Sequence, residues 1–92
     1  MVLCVFKYPV SMEAEFSIDL PKGAQILKFD VQRDKPMMWA LVDSDAVKQR
    51  RWFRIAGTGH PIDYPQHELR FVSTFFVAGG ALVFHVFEIL GK

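Results

Sequence analysis

The alternation of apolar and polar residues with a period of two constrains this chain more than any other feature. Phe16, Ile18 and Leu20 alternate with Glu15, Ser17 and Asp19, and Leu27, Phe29 and Val31 alternate with Lys28, Asp30 and Gln32. Successive side chains of a strand point to opposite faces, so both runs predict half-buried strands with Leu27, Phe29 and Val31 turned inward. Turn residues punctuate the pattern at Pro9, Pro21-Lys22-Gly23, Asp34-Lys35-Pro36 and Ala78-Gly79-Gly80. Proline presets φ and glycine accepts positive φ, so each is a break, and the glycine pair is a strong hairpin signal.

The pattern predicts strands over residues 2–8, 15–20, 25–33, 37–42, 49–56, 69–77 and 81–90. Asp43-Ser44-Asp45-Ala46 is a polar break that caps one short helical turn at most, with Asp43 in a turn role. Residues 58–66 hold two prolines and read as irregular. The expected fold is all-β, a small antiparallel sandwich or barrel of about six to seven strands. Residues 1–92 make a single domain.

Hydrophobic residues make up 51% of the chain and aromatic ones 14%. A chain of this length buries only roughly 60–65% of the surface its unfolded form exposes. The surplus predicts a homo-oligomer interface ahead of an apolar pocket. In the last strand, Leu82, Phe84 and Val86 form one apolar face, and Val83 and Phe87 flank His85 on the other. Such a strand is expected to be covered on both sides, the second cover being another subunit.

The net charge of +1 gives no case for an acidic nucleic-acid mimic and little for general nucleic-acid binding. The single cysteine, Cys4, excludes an internal disulfide framework and a cysteine-cluster zinc site. It reads as a small buried apolar side chain in a reducing compartment. His60, His67 and His85 fit no short-range zinc spacing, so neither a metal nor a cofactor is expected. The longest apolar run, residues 75–87, is too short to span a bilayer, and residues 1–9 lack a cleavage-like site. A cytoplasmic protein without membrane contact is the expectation.

Chemistry concentrates in Arg54-Ile55-Ala56-Gly57-Thr58-Gly59-His60-Pro61-Ile62. A phosphate site needs backbone N–H groups in a concavity and a guanidinium to pair with the oxygens. Gly57 and Gly59 can supply the first, and Arg51 or Arg54 the second. Alternation places Arg50, Trp52 and Arg54 on one strand face and Arg51, Phe53 and Ile55 on the other. Arg51, Arg54 and the loop of Gly57, Thr58, Gly59 and His60 are therefore the candidate phosphate ligands, with Trp39 or Trp52 stacking on a base. The loop lacks the length and the following helix of a phosphate-binding loop, so a solvated strand face and a tight turn is the competing reading. Core packing is the safer reading of Trp39, ahead of a ligand-stacking wall, and His85 reads as a hydrogen-bonded core or interface histidine. For nucleophilic catalysis Thr58 lies near His60, and Asp43, Asp63 or Glu88 can complete a set. No elbow or oxyanion motif accompanies them, and enzyme activity is not expected.

The combination Trp39-Ala40-Leu41-Val42-Asp43, then Arg54-Ile55 with Gly57-Thr58-Gly59-His60-Pro61-Ile62, then Gly79-Gly80-Ala81-Leu82-Val83-Phe84-His85-Val86-Phe87-Glu88, resembles a family of small proteins of unknown function. Bacteriophages and prophages encode that family. The resemblance runs from Lys7-Tyr8-Pro9 through Leu20-Pro21-Lys22-Gly23-Ala24 to Glu88. It implies a context, an accessory product acting in an infected bacterium, and no assigned activity. In that context the expected function is to counter host defence by binding, most concretely by sequestering a small phosphorylated nucleotide signal at an oligomer interface. The alternatives are a protein–protein inhibitor of a host defence effector such as a nuclease, and a structural or regulatory phage component without a ligand.

Overall fold

Each apolar–polar alternation becomes a strand in the computed structural model, which describes residues 1–92. The strands are β1 (Leu3–Pro9), β2 (Glu15–Pro21), β3 (Gln25–Gln32), β4 (Lys35–Asp43), β5 (Lys48–Gly57), β6 (Leu69–Val77) and β7 (Leu82–Ile89). Only two short 3-10 turns, Gln66–Glu68 and Ala78–Gly80, interrupt them. No helix is long and apolar enough to cross a membrane.

Two antiparallel sheets result. One has three strands in the order β1-β4-β3, the other four in the order β2-β5-β7-β6. The protein is all-β and sandwich-like, with principal extents of 41 × 32 × 16 Å. Only the β3–β4 and β6–β7 hairpins join neighbours in sequence. The Pro21-Lys22-Gly23 turn instead carries the chain from one sheet to the other. Gly23 takes φ of 83° there, a value that favours glycine. Asp43 ends β4, and its Oδ1 accepts a 3.0 Å bond from the Asp45 N–H, the turn role expected of it.

The inner faces meet in a phenylalanine row. Phe53 stacks on Phe16 with ring centroids 5.3 Å apart, Phe16 reaches Phe29 at 6.1 Å, Phe29 reaches Phe75 at 5.0 Å, and Phe75 stacks on Phe84 at 5.6 Å. Met38, Ala40 and Val42 close the row from β4, with Leu20, Ile55 and Val86 from the facing sheet. Phe29 is fully buried and belongs to the three-stranded sheet, while both its ring neighbours belong to the other. Its carbonyl also accepts a 2.9 Å bond from the Ser73 hydroxyl of β6.

Two local expectations are corrected. Leu27 was expected inward, but a bulge between Ile26 and Lys28 turns it out to 48% exposure and half-buries Ile26 instead. An extra residue on one strand reverses the alternation. The turn expected at Asp34-Lys35-Pro36 falls on Arg33 and Asp34, with φ of 52° and 65°, and Pro36 lies inside β4. Two-residue hairpins favour this doubly left-handed turn because its twist matches the strands. On the outer side of β7, His85 and Phe87 stay half-buried.

Only 16 of 92 residues are buried, and Phe71 and Phe76 are each 60% exposed on β6. The accessible surface is 5924 Å², against about 5,500 Å² for an ordinary monomer of this mass. We expect Phe29→Ala to lower the unfolding free energy by about 3–5 kcal/mol in urea denaturation. Phe76→Ser should change it by about 0.5 kcal/mol or less.

Candidate functional site

The glycine loop is built around Arg54. Its side chain is 15% exposed and projects from the outer face of β5. The guanidinium donates to Asp63 Oδ1, the Ala14 carbonyl and the Pro61 carbonyl, each at 3.3 Å, and also to the Ile55 carbonyl. These donors are committed within the chain, so Arg54 acts as the staple that holds the loop against β5. Within the loop the His60 N–H donates to the Gly57 carbonyl at 3.0 Å, closing a turn with Gly59 at φ of 85°. The His60 ring lies over Gly57 so closely that an added Cβ would come 2.9 Å from Nδ1.

Thr58 is turned away from His60. Its Oγ1 lies 2.8 Å from His85 Nε2, and Thr74 Oγ1 lies 2.9 Å from His85 Nδ1. Thr74 and His85 are cross-strand partners in the β6–β7 hairpin. Hydroxyls occupy both ring nitrogens, and no carboxylate orients the imidazole as a general base would need.

Arg51 points the other way, into the sandwich, as the alternation of β5 requires. Its Nε meets Glu88 Oε2 at 2.6 Å and its second terminal nitrogen meets Oε1 at 2.8 Å, a two-point pair. The remaining terminal nitrogen donates to the Ala24 carbonyl at 2.6 Å. The two side chains are only 16% and 9% exposed. Arg70, opposite Glu88 in the register, brings a second guanidinium to 3.9 Å from Oε1, while its own side chain is 65% exposed. One buried carboxylate thus faces two arginines and is already neutralised by the first.

Two adjoining clefts share this group at the end of the sandwich. One, of about 320 Å³, adds Ile26, Phe71 and Val72. The other, of about 340 Å³, adds Arg50, Trp52 and Lys92. Lys92 Nζ sits 4.3 Å above the Trp52 ring and pairs with Glu15, whose other oxygen accepts a 2.5 Å bond from the Tyr64 hydroxyl. The Lys92 bond first, and the Tyr64 bond next, hold the Glu15 carboxyl below its ordinary 4.5.

The eight residues expected to form one site therefore lie in three places. Arg51 and Trp52 line the end clefts. Arg54, Gly57 and His60 line a separate cleft of about 240 Å³, with Thr58 and Gly59 in the same loop. Trp39 stands on β4 of the other sheet. Arg70, Glu88 and Lys92, which complete the end clefts, carry no local motif. The chain belongs to the family described as a domain of unknown function (DUF7352), whose sequence model matches residues 1–90. No curated protein and no solved structure matches it.

Gly57→Ala should cost about 1–2 kcal/mol in thermal or urea unfolding, because the new methyl meets the His60 ring. The same change in a His60→Ala background should cost less. A carboxyl with a depressed folded pKa adds stability above its unfolded value, and that contribution is lost as pH falls through the folded value. Wild-type stability should accordingly fall more steeply below about pH 4.5 than that of Glu15→Gln.

Proposed function

We propose that this protein is a non-enzymatic binder of a small phosphorylated nucleotide, held in the arginine-lined clefts at the end of the sandwich. One observation carries the reading: Arg70 is 65% exposed, and its ionic contact, Glu88 at 3.9 Å, is already neutralised by Arg51. An exposed guanidinium beside a satisfied ion pair is a surplus cation, and its planar donors match phosphate oxygens. Arg50 and Lys92 extend the positive lining, and Trp52 supplies a ring on which a base can stack once Lys92 moves aside. Arg51 serves here by fixing Glu88, while Arg54 and the glycine loop are scaffold.

The resemblance to phage-encoded proteins gives this binding a purpose: removal of a nucleotide defence signal from the cytoplasm of an infected bacterium. A homo-oligomer fits the same reading, because the clefts open beside Phe71, which is 60% exposed. The exposed phenylalanines favour one other reading. Phe71 meets Phe87 edge-on with centroids 5.8 Å apart, and Phe76 lies further along the same outer face, so a heterologous protein such as a host effector can dock there.

Native mass spectrometry after incubation with the low-mass fraction of infected, defence-active cells tests the proposal. Wild type should gain a small-molecule mass, and Arg70→Ala should lose about one to two orders of magnitude in affinity for that ligand. Equal affinity in the variant would remove Arg70 from the site. An unliganded wild-type monomer would favour protein docking instead.

A further inference from the structure

We propose that the outer face of the three-stranded sheet is a second binding face, for single-stranded nucleic acid, with Trp39 as its stacking platform. The proposal does not rest on the end clefts, which share no lining residue with this face. The register places Lys7 of β1 and Lys28 of β3 directly opposite Trp39, one on each side. Neighbouring strands lie about 4.8 Å apart, so the two lysines flank the indole in a single row across the sheet. Met37 and Leu41 continue the half-buried apolar strip along β4, above and below the ring.

Positive charge gathers on the same side. A groove of about 500 Å³ beside the strip is lined by Lys7, Gln32, Arg33, Lys35 and Met37, with no carboxylate among them. Arg33 and Lys35 enter no salt bridge. Lys7 donates only to the neutral Gln32 side chain, at 2.9 Å. Lys28 pairs with Asp30 at 3.2 Å but remains 63% exposed. Four cations here face two carboxylates, Asp30 and Asp34, a local excess that the whole-chain charge of +1 conceals.

The chemistry selects the occupant. An acidic peptide would satisfy the lysines and leave the indole idle, and a purely apolar partner would bury unpaired ammonium groups at a cost. A single strand uses both, since each base offers a π-face and each nucleotide a phosphate. A duplex hides its bases and cannot stack on Trp39.

Fluorescence anisotropy of a labelled dodecamer of deoxythymidylate, at low salt, tests the face. We expect binding that weakens as salt rises, about tenfold or greater loss in Trp39→Ala, and retention of most affinity in Trp39→Phe. The exposed double variant Lys7→Glu/Lys28→Glu leaves the core untouched and should also lose binding while keeping its circular dichroism. The proposal is overturned if wild type does not bind the dodecamer, or if both variants bind it as wild type does. It is equally overturned if a polyglutamate peptide of matched charge competes as well as the unlabelled dodecamer.

Discussion

The packing of Phe29 between Phe16 and Phe75 is the contact on which the rest of the molecule depends. Each sheet is internally satisfied by its own ladders, and those ladders say nothing about how the sheets face one another. A ring from the three-stranded sheet wedged between two rings of the other sets that relation, and the Ser73 hydroxyl on the Phe29 carbonyl fixes it sideways. Aromatic contacts of this kind combine a large buried area with preferred geometry, so they align as well as attract. Because the row occupies the centre, the two ends of the sandwich are left to polar groups.

Polar groups outside the row are held in different ways. On the outer face of β5, Arg54 spends its donors on backbone carbonyls and Asp63, which pins an otherwise featureless loop. At the end of the sandwich, Arg51 spends its donors on Glu88 and Ala24, which makes a buried carboxylate tolerable. Both arginines are thus consumed by the structure, whereas Arg70, with a mostly exposed side chain, meets Glu88 only at 3.9 Å.

Strand alternation made much of this legible in the sequence. It separates Arg51 from Arg50, Trp52 and Arg54 correctly, because β5 runs without a bulge. It fails wherever an extra residue enters a ladder. A regular β6–β7 hairpin set by Val77 and Leu82 would pair Arg70 with Ile89 on the outer face. The shift between Phe71 and Ser73 pairs Arg70 with Glu88 on the inner one, and so creates the two-arginine group. Nothing about Val72 announces that shift, since bulges are decided by the packing of the completed sheet. The prominence of the Gly-Thr-Gly-His block was likewise misleading as to place: the close approach that its glycine permits is to the block's own histidine.

The order of strands also governs how the chain can come to be folded. The β3–β4 and β6–β7 hairpins close locally, but the other ladders join distant residues, such as Leu3 with Asp43 and Glu15 with Arg54. Closing long loops before any contact rewards them makes such topologies fold in milliseconds to seconds, where helical bundles take micro- to milliseconds. β7 lies in the middle of its sheet, between β5 and β6, yet follows both in the chain. On a ribosome β2 and β5 can pair early, but the four-stranded layer has no centre until β7 has emerged. During that interval the edge of β5 that β7 will pair, from Trp52 to Gly57, has its ladder open, and a nascent chain in that state is a natural client for chaperones.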